Sequence, residues 1–301
     1  MVPRSTDELL NLLKQAEKDI GDESDSLTQC RDAHRLIGAM DSATRRLAAI
    51  RRTAIDMVLG GPTTAAELAA DLGVTPTRIS QLRTQGPGPE RALLAPNATA
   101  GGSLTALVFQ RREAERGYGA VLDSTREAVD KLARLAASMD LVVETRPVAM
   151  HDHLDLNRDN LLVLMGPRTS VLIAQAITAD PAIKWRRDQE GRWHIVDIET
   201  GNEYFSDFDQ VAPGADHSGG KCIAHIGRVR RPDGQGSFLY LGGAHAAGTA
   251  GAVQFVVDQI DTLWEQTRKS LWSAAVQTHI GPSGEVTSVK LLTPVYVHGK
   301  R

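Results

Sequence analysis

AAELAADLGVTPTRISQLRT, residues 65–84, places small, apolar and turn-forming residues where two short helices crossing at a steep angle need them. Ala69 falls where the pair must approach closely, and Gly73 falls in the turn, where a left-handed backbone is cheap only without a β-carbon. Leu68, Leu72, Val74, Ile79 and Leu82 are expected to share one inward face. Thr64 with Glu67 reads as a capping box, and Thr75 before Pro76 as an N-cap with proline at the first helical position. The second helix then presents Thr75, Thr77, Arg78, Ser80, Gln81 and Thr84 outward, with Arg83 able to reach a phosphate, and no carboxylate interrupts the face. Such side chains donate to and accept from base edges in a major groove.

Working outward, residues 41–95 resemble the helix-turn-helix family of DNA-binding proteins. The resemblance is particularly to the variants seen in bacterial sigma-factor promoter-reading regions and actinobacterial regulators. RTQGPGPERALL, residues 83–94, looks like the tail of such a module, where the chain leaves through a Gly/Pro turn. The resemblance implies double-stranded DNA as the partner. Arg45, Arg46 and Arg52, with Arg51 beside them, would lie near its phosphates. The acidic residues Asp7, Glu8, Glu17, Asp19, Asp22, Glu23 and Asp25 lie further upstream, so positive charge gathers locally.

Local is the operative word, because the formal net charge of the 301 residues is -3 and gives no general attraction to a polyanion. A 42% hydrophobic and 24% charged composition is that of a water-soluble globular protein, long enough for two or three modules. Cys30 and Cys222 are too few and too far apart for a disulfide framework, which fits a cytoplasmic location. The first twenty residues do not read as a signal peptide, and no run suggests a membrane span.

Residues 1–40 read as N-terminal helices with a dimerisation role, since an apolar stripe through Leu9, Leu10, Leu13, Ala16 and Ile20 continues through Leu27, Ala33, Leu36, Ile37, Met40, Leu47 and Ile50. A two-fold pair would suit paired half-sites, and packing within one chain accounts for the stripe equally well. The small-residue stretch over residues 96–103 reads as a linker. Beyond it, residues 104–301 alternate strands with helices: LTALVF, DSTREAVDKLARLAASM, LVVETRPV, NLLVLMG, TSVLIAQAI, WHIVDIE, CIAHIGRVR, SFLYLGG and AGTAGAVQFVVDQI, with a closing hairpin or edge strands at the end. The fold class is therefore α/β: an all-helical N-terminal part followed by a parallel or mixed sheet covered on both faces. This half resembles the Rossmann-like nucleotide-sensing or nucleotide-processing domains of bacterial signalling systems, a likeness of architecture.

Open α/β sheets bind ligands beyond the carboxyl ends of their strands. Two strand-to-helix turns qualify here: Gly166, Arg168, Thr169 and Ser170 around Pro167, and Gly243, His245, Gly248 and Thr249 after Gly242. Neither carries a P-loop or a G-x-G-x-x-G spacing, so the expected ligand is only a small anionic or nucleotide-like molecule and no cofactor is named. The glycines would equally serve tight helix-on-sheet packing. His151, Asp152, His153 and Asp155 lack the spacing of a metal site, and no nucleophile with an identifiable base can be assembled. Trp185, Trp193, Trp264 and Trp272 read as core anchors.

Together these readings predict a sequence-specific transcription regulator, a homodimer whose α/β half senses a ligand or partner and shifts the population of two arrangements. Two alternatives stay open: an enzyme acting on a nucleotide or glycosidic bond, with His245 in acid–base work, and an interaction protein that never touches DNA.

Overall fold

Asp25 starts the longest helix of the chain by accepting a hydrogen bond from the Thr28 amide, and Ala- and Arg-rich sequence carries it from Ser26 to Leu59 before Gly60, Gly61 and Pro62 end it. This is α2. It follows α1 (Thr6–Gly21) and precedes α3 (Ala65–Asp71) and α4 (Pro76–Thr84). The computed structural model describes residues 6–84, 90–98, 102–109, 111–112, 119–120, 123–149, 152–209 and 219–299. The chain divides into two units, Met1–Gln85 and Gly86–Arg301.

In the first unit every described element is helical. The capping box forms as the sequence implies: the Glu67 amide donates to Thr64 Oγ1 at 3.3 Å, and the Thr64 amide to Glu67 Oε2 at 2.8 Å. Thr75 accepts from the Arg78 amide at 3.1 Å, and Gly73 adopts φ +64° between the two helices. A small core of Ile55, Leu68, Ala69, Ile79 and Leu82 closes beneath them. Leu72 and Val74 depart from the expected inward set, at 48% and 37% exposure. Both flank left-handed Gly73 in the turn, outside the core of Ile55, Leu68, Ala69, Ile79 and Leu82. Gly73→Val is expected to cost about 1–2 kcal/mol, because a β-branched residue must enter the left-handed region. Open space around the site means no clash adds to that strain. A urea melt of the full chain that is unchanged in this variant would contradict the turn geometry.

Helix α2 runs unbroken through residues 40 and 41, where the sequence suggests a module boundary. At the other end, α5 (Arg91–Leu94) belongs to the second unit rather than to the helix-turn-helix segment, because Leu93, Leu94 and Ala95 are buried in that unit's main core. The expected linker is also tied down: Ala98 packs on the same core, and the Asn97 amide donates to Asn160 Oδ1 at 3.1 Å. Residues 99–101 lie outside the described residues.

The second unit is built on β1 (Gly102–Phe109), β4 (Leu141–Val148), β5 (Leu161–Leu164), β9 (Lys221–Arg230), β10 (Ser237–Gly243), β11 (Leu271–Ile280), β12 (Val286–Leu291) and β13 (Tyr296–His298). The sheet order is β12-β11-β9-β10-β5-β1-β4, with β13 also on β11. Strands β4, β1, β5 and β10 are mutually parallel, and β9, β11, β12 and β13 pair antiparallel. A mixed sheet results. Two further pieces stand apart, the short β2 (Arg111–Arg112) with β3 (Gly119–Ala120), and a three-stranded sheet of β6 (Ile183–Arg187), β7 (Trp193–Asp197) and β8 (Glu203–Tyr204). The strand WHIVDIE thus belongs to the smaller sheet.

Strand alternation sorts the core into two faces. Leu104, Ala106, Val108, Leu162, Leu164, Leu239 and Leu241 meet α6 (Asp123–Ser138) and α8 (Ala246–Thr267), whereas Leu107, Leu161, Val163, Phe238 and Tyr240 meet α7 (Val171–Ala176) on the other side. The first face also takes Trp264 and Trp272, while Trp185 and Trp193 meet edge-on at 6.5 Å and are only half-buried. From β1 the chain crosses to β4 on one side and returns to β5 on the other, so connections leave the carboxyl ends of β1 and β5 in opposite directions. That divergence opens a crevice.

Candidate functional site

In the first unit, burying Ile79 and Leu82 turns the opposite side of α4 outward. Thr75, Thr77, Arg78, Ser80, Gln81 and Arg83 are all exposed. The Arg78 guanidinium donates to Gln81 Oε1 at 3.2 Å, and Ser80 Oγ lies 3.4 Å from the Pro76 carbonyl. Arg83 is held at 2.9 Å by Asp56 of α2, so its charge is partly compensated rather than left for a phosphate. Arg52 on α2 is half-buried. The side chains of Arg45, Arg46 and Thr84 lie outside the described residues.

A second surface of this unit lies along α2. Ile55 and Leu59 face the helix pair, and the opposite side carries Ala33, Leu36, Met40, Ala43, Leu47, Ile50, Ala54 and Met57, alternating three and four residues apart. That is an a/d heptad seam about 37 Å long at 1.5 Å per residue. Leu47, Ile50 and Met57 are 63%, 59% and 76% exposed. The seam's phase, with Ala54 and Met57 extending it, is the signal a looser reading of the stripe overlooks.

In the second unit, both candidate ligand turns converge on one cavity of about 310 Å³ at the carboxyl ends of β1, β5 and β10. Phe109, Leu164, Met165 and Ala244 give it apolar walls, and Thr125, Arg168, Thr169, His245 and Thr249 give it polar ones. Helix α8 starts at Ala246 on the cavity wall, and His245 at its cap makes no side-chain bond to the first turn. The amide-rich, partly positive end of a 22-residue helix therefore meets the cavity with no carboxylate in its first turn.

Asp209, which no sequence signal singles out, ties the two turns together. Its Oδ1 lies 2.9 Å from Arg168 Nη2 and 3.2 Å from His245 Nε2, and its side chain is only 6% exposed. Arg168 Nη1 is near both imidazole nitrogens, at 3.3 and 3.2 Å, so the guanidinium faces the ring rather than one lone pair. Asp209 Oδ2 is buried with no hydrogen-bond partner among the described residues.

Other residues expected at the ligand serve packing. Ser170 caps α7, accepting from the Ile173 amide at 3.4 Å, and does not line the cavity. A β-carbon on Gly166 would meet the Gly243 carbonyl at 1.9 Å, and one on Gly248 would meet the Ile223 carbonyl at 2.6 Å. These glycines let α8 and two strand ends close together. Thr249 Oγ1 accepts from the Gly243 amide at 3.0 Å and so holds that turn as well as lining the cavity. Beneath it, burial pushes the Cys222 thiol up to about 11, leaving no thiolate for chemistry. Among the described residues no group of His, Cys, Asp and Glu could hold a metal ion, and His151 lies outside them. No helix among them is long and apolar enough to cross a membrane. Set beside protein-family models, curated proteins and solved structures, the chain matches none of them.

Proposed function

We propose that the chain is a sequence-specific DNA-binding regulator that works as a homodimer in the cytoplasm and carries a Rossmann-like crevice for a small anionic ligand. The observation that carries this reading is the outer face of α4. Thr77, Arg78, Ser80 and Gln81 stand exposed on a helix whose other side is locked into a core, preceded by a glycine turn and a capped partner helix. A solitary αα-hairpin needs no such uninterrupted row of hydroxyl, amide and guanidinium groups. The row fits base edges and phosphates of a major groove.

Selection of fragments bound by the full chain from random duplex DNA tests the reading. Enrichment of a two-fold symmetric motif is expected, with affinity falling steeply as salt rises. Replacing Arg78 and Gln81 together by alanine should weaken the selected site by about 1–3 kcal/mol per lost base contact and flatten sequence preference. Failure to enrich any sequence, or a double variant that keeps full preference, would refute it. Retention of an α4-dependent protein partner in place of DNA would transfer the surface to protein recognition.

A further inference from the structure

We propose that the cavity between β1, β5 and β10 binds a nucleoside monophosphate, its ring against Phe109 and Met165 and its phosphate at the start of α8 beside Arg168 and His245. This rests on reading the crevice as the ligand site and is independent of DNA binding by α4.

Two features of the site each select one part of such a molecule. The apolar wall of Phe109, Leu164, Met165 and Ala244 accepts a flat ring but offers it no charge. The open end of α8, with Arg168 and His245, attracts an anion. Asp209, which is not part of the cavity lining, pairs with both Arg168 and His245 and holds them in place.

Size and charge limit the phosphate count. About 310 Å³ is at the small end of the roughly 300–1,000 Å³ of small-molecule pockets. Arg168 is the guanidinium of the lining and His245 its imidazole, and both are shared with Asp209. One phosphate can be balanced there. A triphosphate would need a metal or more guanidinium groups, and the turns lack the lysine of a P-loop.

Isothermal titration calorimetry on the full chain without DNA provides the test, with AMP, GMP, CMP and UMP as probes and adenosine, guanosine and inorganic phosphate as comparators. At least one monophosphate should bind tenfold or more tightly than its nucleoside and than phosphate. Arg168→Gln should lower that affinity about tenfold while leaving nucleoside binding unchanged, as expected for loss of one charge-assisted contact. Phe109→Ala should weaken nucleotide and nucleoside alike. Because Arg168 also pairs with buried Asp209, the Gln variant is compared with the parent at a temperature where thermal melts show both folded, and Phe109→Ala provides an independent arm. The assignment is overturned if no monophosphate binds better than phosphate, or if both variants bind as the parent does. A chain that binds nucleotide but no DNA refutes only the regulator reading; one that binds DNA but no nucleotide refutes only this one.

Discussion

Asp180→Ala is expected to destabilise the second unit by roughly 3–5 kcal/mol, the cost of breaking a buried ion pair and stranding its partners. Asp180 Oδ2 lies 3.0 Å from His225 Nε2, and Oδ1 accepts from the Ala182 and Ile183 amides and from Ser273 Oγ, each at 2.9 Å. His225 and Ser273 have no solvent exposure, so no water replaces the lost acceptor at their side of the pair. One carboxylate thus fastens the loop before β6 to β9 and β11. Burial by itself would raise the Asp180 pKa, but the hydrogen bond and charge of His225, with the Ile183 amide and the Ser273 hydroxyl, hold it down at about 2 against an ordinary 3.8. A carboxyl whose pKa is lower in the folded state stabilises that state above pH 3.8. The contribution fades as pH falls from there towards 2. Asp180→Asn keeps one acceptor oxygen and loses the charge, and should cost about 2 kcal/mol at pH 7. Urea unfolding of parent and Asn variant should show that difference shrinking through the same acidic window. A difference independent of pH would refute the charged pair.

Leu47→Glu with Ile50→Glu is expected to convert a dimer into a monomer and to weaken binding to a two-fold DNA site by a hundredfold or more, the usual loss when two linked contacts become one. Both side chains lie in the middle of the exposed heptad seam of α2, opposite the Ile55 and Leu59 side that supports α3 and α4. A seam with apolar residues at a and d is self-complementary, because each knob finds its hole on an identical helix. The large exposed side chains of the seam, Met40, Leu47, Ile50 and Met57, offer on the order of 450 Å² per copy, a little over half of the ~800 Å² per partner of a stable interface, and the alanines between them add to it. Sedimentation equilibrium should then read twice 32.5 kDa for the parent and 32.5 kDa for the double variant. Because the substituted positions are already exposed, the helical content should be unchanged. A parent that sediments as a monomer at micromolar concentration would remove the seam as an interface.

The local rules were legible residue by residue. Thr64 and Glu67 cap α3, Thr75 caps α4, and Gly73 is left-handed, because each feature depends on side chains within four positions of one another. Most strands and helices of the second half also stand where alternation and periodicity put them, SFLYLGG as β10 among them. Leu72 and Val74 stay exposed for a geometric reason: hydrophobicity names candidates for a core, but the path of the turn decides which of them reach it. Leu93 and Leu94 join the second unit's core rather than the helix-turn-helix segment for a similar reason, since an apolar pair does not announce which core it joins. Asp209 was silent, being one acid among several in ETGNEYFSDFD, until folding set it beside Arg168 and His245.

By itself, then, the amino-acid order determined the helix pair, its caps, the strand–helix alternation and the two glycine-bearing turns, all consequences of backbone preference and short-range periodicity. Tertiary structure alone decided that the turns at Gly166 and Gly243 share one cavity, that four strands pair in parallel and the others antiparallel, and that Asp180 reaches His225 and Ser273 from 45 and 93 residues away. Those are contacts between distant segments. Their partners are chosen by packing of the whole sheet, and no local pattern of residues encodes that choice.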